Sequence, residues 1–200
     1  MRGLFIVFEG LDGSGQDTQA QLLADVLTEA GRQVWLTREP TDSAVGKNIR
    51  QILRGEVANP GAWVVQSMMT RDRGLHVKNI DKAVKEGVVV ISIRYYYSTF
   101  AYGQAGGLDY LSLWRMNKGF IRPDVTIYLD VNPTIAIQRI SKRGNPIELF
   151  EQQEFLQKVR RNFCKMIQDN DFPELKLIDA TGDISTVHRL VMTAIRVATK

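Results

Sequence analysis

Apolar residues along this chain come in short clustered runs without strict alternation. Five runs, Leu4–Phe8, Gln33–Arg38, Val88–Arg94, Val125–Asp130 and Leu175–Asp179, are rich in Val, Ile, Leu or aromatic residues. Strands buried on both faces read this way. The spacing between them predicts helices over Gln19–Ala30, Ser43–Leu53, Ala62–Glu86, Leu108–Phe120, Pro133–Lys142 and Glu148–Asp169, with a last one from about Ser185 to Ala198. Strands alternating with helices predict an α/β fold, a parallel sheet covered on both sides. Right-handed crossovers gather the C-terminal ends of such strands at one edge, where ligands bind. The polar clusters Glu9–Gln19, Arg38–Asp42, Arg94–Tyr102 and Asp130–Pro133 all fall at those ends. Gly103–Gly107 and Arg143–Pro146 read as loops, the second as a mobile lid.

The first strand runs into Phe8-Glu9-Gly10-Leu11-Asp12-Gly13-Ser14-Gly15-Gln16-Asp17-Thr18, and a helix runs out of it. Strand, Gly-rich loop and helix make the layout of a phosphate-binding P-loop. Gly10, Gly13 and Gly15 let the backbone bend round an anion with its N–H groups inward, and the helix adds its positive end. The usual pattern ends in lysine and Ser/Thr, whereas this chain has Gln16 and Asp17. Gln16 removes a cation but retains an amide that can donate to phosphate. Asp17 exchanges a hydroxyl for a carboxylate, a good Mg²⁺ ligand. Glu9 and Asp17 are therefore the candidate metal ligands.

Composition narrows the setting. Two hundred residues suit a single domain, 1–200. The net charge of +4 fits a protein handling small polyanions but does not require it. No arginine-rich arm or basic run interleaved with aromatics is present, which argues against nucleic acid as a partner. Cys164 is the only cysteine, so neither a disulfide framework nor a thiolate metal site is expected, and a reducing, cytoplasmic setting is. The apolar run before Glu9 is too short for a signal peptide or a membrane span.

Other clusters carry candidate chemistry. Arg38-Glu39-Pro40 closes the second strand, where a guanidinium can grip phosphate as a fork or form an ordinary ion pair. Asp72 and His76 share a face of a long helix, and a solvated face is the reading for both and for Arg73 between them. Tyr95, Tyr96 and Tyr97 beside Arg94 suit a base and a phosphate better than a core. Arg139, Lys142 and Arg143 form a basic helix end, which ordinarily just complements the helix dipole and in a phosphoryl-transfer enzyme could close over the transferred group. The stripe Phe155, Val159, Phe163, Met166 and Ile167 reads as core. Val64, Val65, Met68, Met69 and Leu75 fit a core or an interface equally.

FEGLDGSGQDTQ, TREP, RDRGLHV, RYYYSTFAYG, RPDVTIYLDVNP, KRG…ELFE and IDATGD, in this order and spacing, resemble the motifs of thymidylate kinases over nearly the whole chain. The resemblance implies a three-layer P-loop NTPase fold with a five-stranded parallel sheet flanked by helices and a short lid at about 140–150. It implies an ATP-dependent phosphotransferase that moves the γ-phosphoryl group of ATP to dTMP with Mg²⁺, and a homodimer. By position, Gly10, Gly13, Ser14, Gly15, Gln16, Asp17 and Thr18 would hold the ATP phosphates, and Asp179 and Ala180 would border adenine. Asp12, Arg38, Pro40, Met69, Arg73, Arg94, Ser98 and Tyr102 would form the dTMP side, with Tyr102 disfavouring a 2′-hydroxyl. Arg94, Asp12 and the lid residue Arg143 would be catalytic, since Gly13 stands where some members carry an arginine. Four positions depart from the family: Gln16, Asp17, Ile93 for an aspartate, and Met69 for an aromatic ring. They leave open a nucleotide-binding member with weakened catalysis, or a kinase for another nucleoside monophosphate.

Overall fold

The computed structural model describes residues 2–142, 149–150 and 152–198. Among these, thirteen elements alternate along the chain: β1 (Phe5–Gly10), α1 (Gln16–Glu29), β2 (Val34–Arg38), α2 (Ala44–Leu53), α3 (Ala62–Lys85), β3 (Val89–Ile93), α4 (Tyr96–Ala105), α5 (Tyr110–Asn117), β4 (Val125–Asp130), α6 (Pro133–Ser141), α7 (Gln153–Gln168), β5 (Leu175–Asp179) and α8 (Ile184–Ala198). The strands form one sheet in the order β2-β3-β1-β4-β5, and every neighbouring pair is parallel. β1 lies in the middle, with Phe8 beside Ile93 on one side and Ile127 on the other. Its whole length is buried, as a central strand of a two-sided sheet requires.

Two apolar layers flank the sheet. One joins Phe5, Val7 and Tyr128 to α3, α4 and α7. The other joins Ile6, Phe8 and Ile127 to α1 and α8. Successive residues of β1 point to opposite faces, so this single strand anchors both layers. Burying a Phe or Ile side chain of this kind is worth about 1.5–3 kcal/mol. On α7, Val159, Phe163 and Met166 are buried, and Phe155 and Ile167 pack against the same layer.

Three readings of the chain need correction. Residues 96–105 form a helix, α4, where a polar cluster and the start of a loop were expected. Seven of its ten residues are buried and none is exposed, so it lacks the polar stripe that marks a surface helix. Gly103 lets it approach α5, because a Cβ there would strike the Leu113 side chain. The tyrosine run is core: Tyr95 is wholly buried against Phe5, and Tyr96 and Tyr97 pack with Phe172. The hydroxyls of Tyr95 and Tyr97 donate to Ile121 O and Glu174 Oε1. Finally, the Asp72–His76 face is buried, not solvated.

Arg143 and most of the expected lid lie outside the described residues, so the lid reading has no structural counterpart here. No helix among the described residues is long and apolar enough to cross a membrane.

Candidate active site

The loop between β1 and α1 sits at the C-terminal edge of the sheet. Gly13 and Gly15 have φ of 82° and 100°, the left-handed region that glycine enters without steric cost. At Gly13 glycine is needed twice over, because a Cβ would collide with Ala136 O. α1 starts with no side-chain cap, so its first N–H groups are free for an anion. Gly13, Ser14, Gly15 and Thr18 line a cavity of about 760 Å³ with Arg139, Ala180 and Asp183. Asp179 turns away from it and accepts from Thr181 N and Oγ1.

Gln16 does not present its amide to the cradle. Its Nε2 donates to Gly10 O at 3.0 Å and Leu11 O at 3.2 Å. That fixes the orientation of the amide, since the opposite flip would set its oxygen against two carbonyls. Gln16 thus staples the loop on itself, and its Oε1 is buried with no partner, as is Ser14 Oγ. Asp17 accepts from Arg38 Nη2 at 2.6 Å, with both side chains more than half exposed. Arg38 therefore takes the ion-pair alternative, although it lines the adjoining cavity.

That second cavity, about 230 Å³, opens on the other side of the loop. Asp12, Asp17, Arg38, Pro40, Met69, Arg73, Ile93, Arg94, Ser98 and Tyr102 all line it, so three separated sequence segments and the loop with the start of α1 meet in one cleft. Arg94 is the hub. Its Nη2 donates to Asp12 Oδ1 at 2.8 Å and Tyr102 Oη at 3.2 Å, and its Nη1 to Ser98 Oγ at 3.0 Å. Burial alone would lower its pKa; the Asp12, Tyr102 and Glu9 oxygens more than reverse this and hold it well above the ordinary arginine value. Burial also raises the Tyr102 phenol above its usual range, against the pull of Arg94, so it stays a neutral hydroxyl.

Glu9 is wholly buried. It accepts from Tyr95 N and Ser98 N through Oε1 and from Ser98 Oγ through Oε2. Burial pushes its carboxyl up to about 7, only partly countered by Arg94 and these donors. With both oxygens engaged inside the fold, Glu9 is not placed to ligate a metal, contrary to the sequence expectation.

Arg73 is 2% exposed. Its Nε donates to Glu39 Oε2 at 2.8 Å and its Nη1 to Thr99 Oγ1 and Asn117 Oδ1. Glu39 Oε1 meets His76 Nδ1, and His76 Nε2 meets Thr37 Oγ1. Asp72 accepts from Thr41 N, Thr41 Oγ1 and Ser43 Oγ, which ties down the segment after the cis Glu39–Pro40 bond and lets Ser43 cap α2. Glu39, Thr99 and Asn117 carried no chemistry of their own in the sequence, although Glu39 and Thr99 lie within the TREP and RYYYSTFAYG motifs. Arg139, a candidate to close over a transferred group, is held by Gly13 O and Ala180 O. Asp130 forms a two-bond ion pair with Arg160 away from both cavities.

A loop built for phosphate thus stands between two cavities, one lined by the α1 N-terminus and one by arginines. The family model described as thymidylate kinase matches residues 8–191. The chain belongs to the thymidylate kinase family. Among its relatives in this family are a probable thymidylate kinase of Pyrococcus horikoshii, 40% identical over 98% of this chain and 97% of that one, and a thymidylate kinase of Sulfurihydrogenibium sp., 34% identical over 97% of both. The solved structure of thymidylate kinase from Candida albicans superimposes with a TM-score of 0.82 at 26% identity, covering 98% of this chain and 92% of that one. The three-layer sheet is accordingly the P-loop NTPase fold of thymidylate kinases.

Proposed function

We propose that this protein transfers the γ-phosphoryl group of ATP to dTMP, giving dTDP and ADP. The observation that carries the reading is the Arg94 cluster, a cation fixed by Asp12, Ser98 and Tyr102 at the boundary between the loop and the arginine-lined cavity. ATP would lay its phosphates on the backbone N–H groups of Gly13–Thr18, with adenine beside Ala180. dTMP would fill the second cavity between Met69 and Tyr102, with Arg73 at its inner wall. Phosphoryl transfer consists mostly of positioning and charge stabilisation, and the acceptor phosphate is already an anion, so no dedicated base is required.

Mg²⁺ favours one or two carboxylates completed by phosphate oxygens, and Asp17, in the first turn of α1 and lining the arginine-lined cavity, fits that donor set. Bound there, the ion would neutralise charge on the phosphates. Asp17 is shared with Arg38, so Arg38 sets how far that carboxylate is available. Two copies would pair through the outer face of α3, where Trp63, Val64 and Leu75 are 49%, 42% and 53% exposed; sedimentation at twice 22.6 kDa would support this and sedimentation as a monomer would refute it. The lone Cys164 is consistent with a reducing, cytoplasmic location.

A coupled assay with ATP and Mg²⁺ tests the main reading. Turnover of dTMP well above dUMP, dGMP and UMP is the expected result, and preference for another acceptor overturns it. The same assay gives the value of Gln16. Since its amide is spent on Gly10 and Leu11, a lysine there would add a charge-assisted donor to the phosphates, worth about 1.5–3 kcal/mol. Gln16→Lys is expected to raise kcat/KM for ATP by roughly ten- to a hundredfold. An unchanged value would mean that other cations already supply this charge.

A further inference from the structure

Arg94 occupies a backbone conformation that its sequence does not favour. Its φ is 69°, in the left-handed region where a Cβ crowds the following carbonyl oxygen. Such a residue persists only where its surroundings over-determine it. Here they do: Arg94 N donates to Phe8 O at 2.8 Å, Arg94 O accepts from Ser92 Oγ at 2.9 Å, and the next N–H, of Tyr95, donates to Glu9 at 2.9 Å. The last bond comes from β1, 86 residues away in the chain.

The same carboxylate does more than hold one N–H. Tyr95 is the N-cap of α4 and makes no side-chain cap bond. Glu9 supplies the cap instead, taking the N–H groups of the N-cap residue and of Ser98 two places into the helix. An anion at a helix N-terminus is favoured by the free N–H groups and the helix dipole, which partly offsets its burial. Its other oxygen accepts from Ser98 Oγ at 2.6 Å, and Ser98 Oγ in turn accepts from Arg94 Nη1 at 3.0 Å. The charged and titratable groups facing this chain are Arg94 at the β3–α4 turn, Asp12 from the loop and Tyr102 from α4.

We propose that Glu9 is the positioning residue of the site: through the α4 cap and Ser98 it fixes both the backbone and the guanidinium of Arg94, without itself touching a substrate. The proposal rests on the reading of Arg94 as the cation of the transfer site. Glu9→Gln keeps the volume and an oxygen for the two N–H groups. It removes the charge and turns the link to Ser98 round, so that Ser98 Oγ accepts from both the amide and Arg94.

The test is a double-mutant cycle on the full chain with Glu9→Gln, Arg94→Lys and the pair, read in kcat and in KM for each substrate. Glu9→Gln is expected to lower kcat at least tenfold with KM for ATP within twofold of wild type, and to change kcat less than twofold when Arg94→Lys is already present. Ser98→Ala cuts the same chain at its middle link and is expected to lower kcat about fivefold; it serves as the test if the Glu9 variant fails to fold. A wild-type kcat in Glu9→Gln or in Ser98→Ala overturns the proposal. So does an equal loss in both Arg94 backgrounds, which is what mere packing would give. Reading the cycle as the Kd for dTMP by calorimetry without ATP keeps it independent of turnover: Glu9→Gln is expected to raise Kd at least fivefold only where Arg94 is present. A wild-type chain without turnover whose Kd cycle couples refutes the kinase reading and leaves the positioning role standing.

Discussion

Arg94→Ala is expected to cost about 10²–10³ in kcat, the range seen when a preorganised donor to developing charge is removed. Arg94 is held in place before any ligand arrives, by Asp12, Ser98 and Tyr102. A group fixed in this way does not have to reorganise during the reaction, so its full stabilisation reaches the transition state. Arg94 also touches the loop directly, through Asp12. Arg73 is committed to Glu39, Thr99 and Asn117, and Arg38 to Asp17. Arg94→Lys is expected to recover little, because an ammonium cannot reproduce the fork that reaches Ser98 with one nitrogen and Asp12 and Tyr102 with the other. Steady-state rates with saturating dTMP and ATP decide the matter. A kcat within threefold of wild type in Arg94→Ala would show that the cation of this transfer lies elsewhere.

The fold was legible because its three central strands are buried on both faces and its surface helices are not. Val125–Asp130 and Leu175–Asp179 match the observed strands residue for residue, since a short run rich in apolar and β-branched residues between turn residues has few other uses in a chain of this pattern. The helix over residues 96–105 was illegible for the converse reason. It is apolar nearly all round and carries a glycine, Gly103, against α5, so neither its period nor its propensity announces a helix. At the site, the motifs named the residues that meet in the two cavities. They did not disclose how those residues are spent. The Gln16 amide could serve phosphate or backbone, and only the loop geometry, with Gly10 O and Leu11 O both within reach, decides for backbone. Glu9 reads as a metal carboxylate by type and position. It becomes a helix cap because α4 begins directly above it, a fact of topology rather than of the local sequence.

The second large effect is expected at the other end of the cleft. Arg73→Ala should lower stability by about 3–5 kcal/mol, the cost of removing one member of a buried ion pair and leaving its partner charged and dry. Arg73 and Glu39 side chains are 2% and 3% exposed, so solvent does not screen them. The partners of Arg73 lie 34 and 44 residues away in the chain, at Glu39 and Asn117, so its loss loosens the turn after β2, the end of α5 and the inner wall of the cavity together. For a chain of this size each kcal/mol moves Tm by roughly 2–4 °C, and a fall of roughly 10 °C is expected. Glu39→Gln in turn leaves the buried Arg73 charge without its counterion and is expected to be destabilising as well, although the hydrogen bonds survive. Its amide oxygen can accept from Arg73 Nε, and its amide nitrogen can donate to His76 Nδ1 in the tautomer where Nε2–H donates to Thr37. Combining Arg73→Met with Glu39→Gln removes both charges and keeps the volume, and is expected to regain most of the lost stability while KM for dTMP stays high. Thermal unfolding of the three variants, with dTMP kinetics on those that fold, separates the two roles of Arg73. Equal Tm values for wild type and Arg73→Ala would mean that the Glu39 network carries no stability, and a dTMP KM restored in the double variant would mean that Arg73 serves the fold and not the ligand.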